Sequence, residues 1–204
     1  MIHPQCFTIE WIRRQSEAIG SANPVMLEKA IVALQLLAHL AESGLPIQFK
    51  GGASLLLRLS PIRRLSIDVD IVTQAAPEQL HAVLKRVSMV APLLGYEHDA
   101  QRDKNLPPKK HFRVFYQSAV EAKRDHVLLD VLFEPEEAPH CEPVVIVTPF
   151  ITPEREVRVL ALRRCRPLRR RHRLARGGGC VCGSPRAAAR LFAKALHALR
   201  QIGL

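Results

Sequence analysis

The 204-residue sequence predicts an α/β domain with a mixed sheet and flanking helices. Three observations carry this. Amphipathic helical runs alternate with short β-branched runs along the first three quarters of the chain, the pattern of helices layered on a sheet. Two of the β-branched runs hold carboxylates among aliphatic residues: Asp68 and Asp70 in SIDVDIVT, and Asp130 in VLLDVLF. The charge is also unevenly divided. Residues 1–156 hold 17 Lys and Arg against all 19 Asp and Glu, whereas residues 157–204 hold 13 basic residues and no acid. The net charge of +11 therefore belongs to the tail, and the body is close to neutral.

Taken in order, residues 9–18 suggest a short first helix. Asn23-Pro24 then pairs an N-cap residue with proline at the first helical position. Leu27, Ile31, Leu34, Leu37, Ala38 and Ala41 follow at helical spacing, and Gly44 supplies a stop. The expected helix is amphipathic and about five turns long. A strand over residues 47–49 leads into Lys50-Gly51-Gly52-Ala53-Ser54, and a short helix over residues 54–59 follows. Residues 66–73 are the next strand. Pro77 opens a helix in which Leu80, Val83, Leu84, Val87 and Val90 share a face, with Gly95 as its stop. Residues 112–117 and 126–133 are expected as two strands, and residues 144–151 as an extended run.

From about residue 157 the text turns rich in Arg, Ala, Gly and Cys and loses its periodicity. Two domains are expected: a folded body over 1–156, and a poorly ordered basic segment over 157–204 that lacks stable packing from about 159 to 185. The N-terminus has no sustained apolar core of the secretory kind, and no uninterrupted apolar run reaches membrane-spanning length. A cytoplasmic protein with no membrane association is expected, its five cysteines reduced.

The chemistry concentrates between Phe49 and Val72. On a strand, Asp68 and Asp70 share one face while Ile67, Val69 and Ile71 share the other. Asp is disfavoured in strands, and two like charges at this spacing repel, so a divalent cation with hard oxygen ligands is the expected partner. The competing reading is an acidic strand edge facing water. Asp130, alone in an apolar strand, must be paired (Arg113 is a candidate), protonated or metal-bound. On a neighbouring strand it would supply a third carboxylate. The Lys50-Gly51-Gly52 turn presents bare N–H groups where a polyphosphate can sit, and Ser54 either caps the helix or donates to a phosphate. Arg63, Arg64 and Ser66 stand just before the carboxylates. Lys109-Lys110-His111 reads as a basic loop, either solvated or contacting RNA phosphates. Cys165, Cys180, Cys182 and His172 lack the spacing of a zinc knuckle, and no nucleophile-elbow context supports serine hydrolysis.

Residues 24–135 resemble the nucleotidyltransferase toxins of the AbiEii/AbiGii type, the toxin half of type IV toxin–antitoxin systems. Leu27-Glu28-Lys29, Lys50-Gly51-Gly52 and Arg64-x-Ser66-x-Asp68-x-Asp70 fall in that family's order and spacing. The resemblance implies a DNA-polymerase-β-like nucleotidyltransferase fold and transfer of a nucleoside monophosphate from a triphosphate to an acceptor, for some members a tRNA end. It implies nucleotide binding by Lys50, Gly51, Gly52, Ser54, Arg64 and Ser66. Catalysis and Mg²⁺ or Mn²⁺ binding would fall to Asp68, Asp70 and Asp130, and a cognate antitoxin is implied as partner. The family's later Asp-Lys-Leu and Lys-Asp-x-x-Asp elements do not follow Arg158, and an out-of-frame reading of GC-rich DNA would give such text. Two alternatives stand beside this reading: a small-molecule (antibiotic-type) nucleotidyltransferase, and an inactive remnant that acts as a basic nucleic-acid-binding protein.

Overall fold

In the computed structural model, residues 1–59, 62, 65–105, 108–134 and 140–162 are described. After a 3-10 turn at Pro4–Phe7, α1 spans Ile9–Ala18 and α2 spans Pro24–Ala41. The sheet strands are β1 (Ile47–Lys50), β2 (Val69–Thr73), β3 (Leu93–His98), β4 (Lys104–Asn105), β5 (Pro108–Gln117), β6 (Arg124–Phe133), β7 (Cys141–Val145) and β8 (Arg158–Leu162). Helix α3, Pro77–Val87, lies between β2 and β3.

Local chemistry explains the helix ends. The Thr8 hydroxyl accepts the Trp11 N–H, and the Asn23 side chain accepts the N–H groups of Val25 and Met26. Each satisfies donors that the first helical turn leaves open. Gly44, at φ +83, turns the chain away just beyond α2.

Helix α2 departs from the amphipathic expectation. Twelve of its 18 residues are buried, including the unbroken run Ala30 to Ala38, which is how a helix surrounded by other elements behaves. It packs on β2, β6 and β8, with α1 and α3 at its flanks. By length and composition it is apolar enough to cross a membrane, at a mean hydropathy of 1.4, but 67% of it is buried inside the fold. Core helices pass the same test.

The sheet order is β3-β5-β6-β2-β1-β8-β7, with β4 on β5. It is mixed: β2–β6 and β1–β8 are parallel, the other pairs antiparallel. One face carries Phe49, Val69, Ile71, Val114, Leu129, Val131 and Ala161, all buried. The opposite face carries a row of polar residues across four strands. Lys50 stands opposite Asp70, Asp70 opposite Asp130, and Asp130 opposite His111, crossing β1, β2, β6 and β5.

Four expectations are corrected. Gly95 does not stop α3; it lies in β3 at φ +126, beside an irregularity in the β3–β5 register. The helix after the glycine turn is a 3-10 segment, Ala53–Leu57. Strand β2 begins at Val69, so Asp68 precedes it by one residue. Finally, residues 158–162 are a strand of the sheet, paired to β1 and β7, with Val157, Val159 and Ala161 buried. The body therefore does not end at residue 156. The Arg58 guanidinium fastens this strand, donating to the carbonyls of Leu162 at 2.5 Å and Ala161 at 2.9 Å and pairing with Glu142. The expected loose packing from 163 onward lies outside the described residues, as do Cys165, Cys180, Cys182 and His172. Among the described residues neither Cys6 nor Cys141 forms a disulfide.

Candidate active site

Antiparallel pairing of β1 with β2 joins two motifs that are separate in sequence. Lys50 ends β1 opposite Asp70, so the following glycines turn directly beneath the carboxylate segment. Gly51 has φ +74, and a Cβ built there would overlap Asp70 Oδ2 and stand 2.8 Å from Asp70 Cγ. No side chain fits this position. A Cβ on Gly52 would stand 3.1 Å from Ser66 Oγ. The two glycines thus let Ser66 and Asp70 close onto backbone.

The three carboxylates differ. Asp68 and Asp70 are half-buried, and among the described residues neither accepts a hydrogen bond. Burial, and then the nearby Asp130 charge, hold both above the ordinary carboxyl range. Asp130 goes the other way. Burial acts to raise it, but hydrogen bonds from Lys109 and His111 outweigh burial and hold it low. Lys109 Nζ lies 2.7 Å from Oδ2, and His111 Nδ1 lies 2.6 Å from Oδ1. The pairing considered from sequence, Asp130 with Arg113, does not form; Arg113 binds Asp99 at 2.7 Å. Lys50, across from Asp70, is depressed by burial, a shift that Asp70 opposes.

These shifts fix a pH dependence. Asp68 and Asp70 hold their protons more tightly in the folded chain than at the ordinary value of 3.8. Unfolding then releases protons, so the two groups cost more stability as pH rises through the window between 3.8 and their raised values. The metal-free Asp68→Asn/Asp70→Asn protein lacks this loss. Urea melts from about pH 4 to about pH 7 should show wild type losing ground to the double variant as pH rises. A gap that does not change with pH would contradict the raised values.

The structure brings together Lys50, Gly51, Gly52, Ser66, Asp68, Asp70 and Asp130 of the residues expected from sequence. Ser54 is buried, and its hydroxyl donates to the Gly51 carbonyl at 2.8 Å, closing the turn. Arg64 lies outside the described residues, as does Arg63. Lys109 and His111 belong to strand β5 rather than to a loop, and their grip on Asp130 was missed. The signal was available: pairing residues 108–117 with 124–133 as a hairpin sets His111 opposite Asp130. Among the described residues no three His, Cys, Asp or Glu side chains are grouped to hold a metal. Two half-buried carboxylates without a hydrogen-bond partner among the described residues, raised by burial and the Asp130 charge, could nonetheless suit a divalent cation.

The mixed α/β sheet thus sets Asp70 and Asp130 side by side on its open face, next to a glycine turn that leaves no room for a side chain at Gly51. Residues 35–165, more than half of the chain, match the family described as Nucleotidyl transferase AbiEii toxin, Type IV TA system, and the chain belongs to that family. Among solved structures it is similar to the crystal structure of JHP933 from Helicobacter pylori, with 18% identity and a TM-score of 0.42 over 65% of this chain and 50% of that one. The chain thus spans half the length of that protein, and a likeness of this degree carries no functional weight. No curated protein matches.

Proposed function

We propose that this chain is a metal-dependent nucleotidyltransferase of polymerase-β-like fold. It would transfer a nucleoside monophosphate from a triphosphate to an RNA acceptor, a tRNA end, and act as the toxin of a toxin–antitoxin pair in the cytoplasm, with a cognate antitoxin as partner. The observation that carries the reading is the seating of Asp70 on Gly51. It supports the reading because half-buried carboxylates and a turn of two glycines, where main chain is uncovered by side chains, stand together.

Asp68 and Asp70 would hold Mg²⁺ or Mn²⁺, which when bound neutralises phosphate charge and steadies the attacking and leaving oxygens. Lys50, in the same row, is placed to offset charge on the triphosphate, and its depressed affinity for a proton makes an anionic partner favourable. Gly51 and Gly52 allow phosphate to approach main chain. Ser66, packed at Gly52, lines the same approach. Asp130 is ionised and doubly hydrogen-bonded, so in this state it is a weak base; serving as a third oxygen ligand requires that Lys109 yield.

Incubation with an α-labelled triphosphate and total tRNA tests the reading. Label should appear on tRNA. Label on an aminoglycoside and not on tRNA would make this a small-molecule enzyme. Salt-sensitive RNA binding without label transfer would make it a binding protein.

A further inference from the structure

Lys109 belongs to two places at once. Its ammonium sits on Asp130, and the residue lines a cavity of about 330 Å³ at the ends of β2 and β6. Lys104 and Lys110 also line that cavity, with Phe133, Asn105 and Thr73 among the other walls. The volume falls within the range that holds small ligands. Three lysines against Asp103 and Glu134 leave the lining net positive.

The two donors on Asp130 are unlike. The His111 side chain is 5% exposed and fixed by the sheet, whereas that of Lys109 is 26% exposed on a flexible four-carbon stem. Of the pair, only Lys109 can leave without disturbing the strand. It does not leave at no cost, because a carboxylate at 14% exposure would keep only the His111 hydrogen bond. A replacement cation at Asp130 and an anion to receive the ammonium meet both needs together.

We propose that Lys109 is a positioning residue that closes Asp130 in the ligand-free protein and moves to the phosphate groups of the bound nucleotide, freeing Asp130 as a third oxygen ligand beside Asp70. The proposal rests on the assignment of Asp68 and Asp70 as metal ligands. Nucleotide and metal would then each strengthen binding of the other by the same factor. Substrate, rather than metal alone, would complete the site.

Mn²⁺ titration of the full chain, followed by electron paramagnetic resonance with no nucleotide present, tests the first half. Lys109→Met should bind Mn²⁺ about tenfold more tightly than wild type, the scale on which groups behind a ligand tune a metal site. Adding Asp130→Asn should erase the gain, and Lys109→Arg should behave as wild type. No gain in Lys109→Met, or a gain that survives Asp130→Asn, overturns the proposal. At saturating Mn²⁺ a fluorescent triphosphate analogue should bind Lys109→Met several-fold more weakly than wild type. Equal binding overturns the second half. The underlying assignment fails separately, if Asp68→Asn/Asp70→Asn binds Mn²⁺ as wild type does.

Discussion

Asp68→Asn/Asp70→Asn should lower nucleotide transfer to tRNA by about a thousandfold or more, since the cation these residues would hold on this account is worth several kcal/mol of transition-state charge. The fold should survive. Neither carboxylate accepts a hydrogen bond among the described residues, and both stand above the ordinary carboxyl range because of burial and the Asp130 charge. Converting them to amides relieves the net penalty of burial and of the Asp130 charge and removes no hydrogen bond among the described residues, so the metal-free double variant should melt no lower than wild type. Transfer at the wild-type rate by a folded double variant would remove these residues from the chemistry. Strong destabilisation would mean that the pair has a structural role instead.

Gly51→Ala should be strongly damaging. The residue sits at φ +74, where an L side chain costs about 1–2 kcal/mol. The added methyl would also overlap the Asp70 carboxylate. Together these predict a stability loss of about 2–4 kcal/mol in denaturant melts. Asp70 can escape the methyl only by leaving its place in the row, so metal binding should fall as well. Gly52→Ala is the control. Gly52 has φ −64, and its Cβ would meet only a serine hydroxyl at 3.1 Å; the loss there should stay under about 1 kcal/mol. Equal losses at both positions would contradict the close seating of Asp70 on Gly51.

The candidate site was largely legible in the sequence because it is built from local patterns. A glycine turn after one strand and an Asp-x-Asp segment at the start of the next bring their residues together by simple antiparallel pairing. Helix α1 and the start of α2 were legible for the same reason, since Asn23-Pro24 writes its capping chemistry into adjacent letters. What was missed depends on partners distant in sequence. Strand β8 stands in an arginine-rich stretch, and its alternation of Val157, Val159 and Ala161 was masked by composition until β1 and β7 bracketed it. Gly95 looked like a helix stop because a glycine in a strand irregularity carries the same letter. The Lys109 and His111 grip on Asp130 depends on the register of a whole hairpin, which no single motif encodes.

The central claim is that Asp68 and Asp70 form a metal and nucleotide site. Thermal melts of wild type and Asp68→Asn/Asp70→Asn, with and without Mg²⁺ and a nucleoside triphosphate, test it most directly. A ligand that binds only the folded state raises the melting temperature by mass action. The account predicts a clear rise for wild type and none for the double variant. An equal rise in both proteins would place the nucleotide elsewhere and contradict the claim.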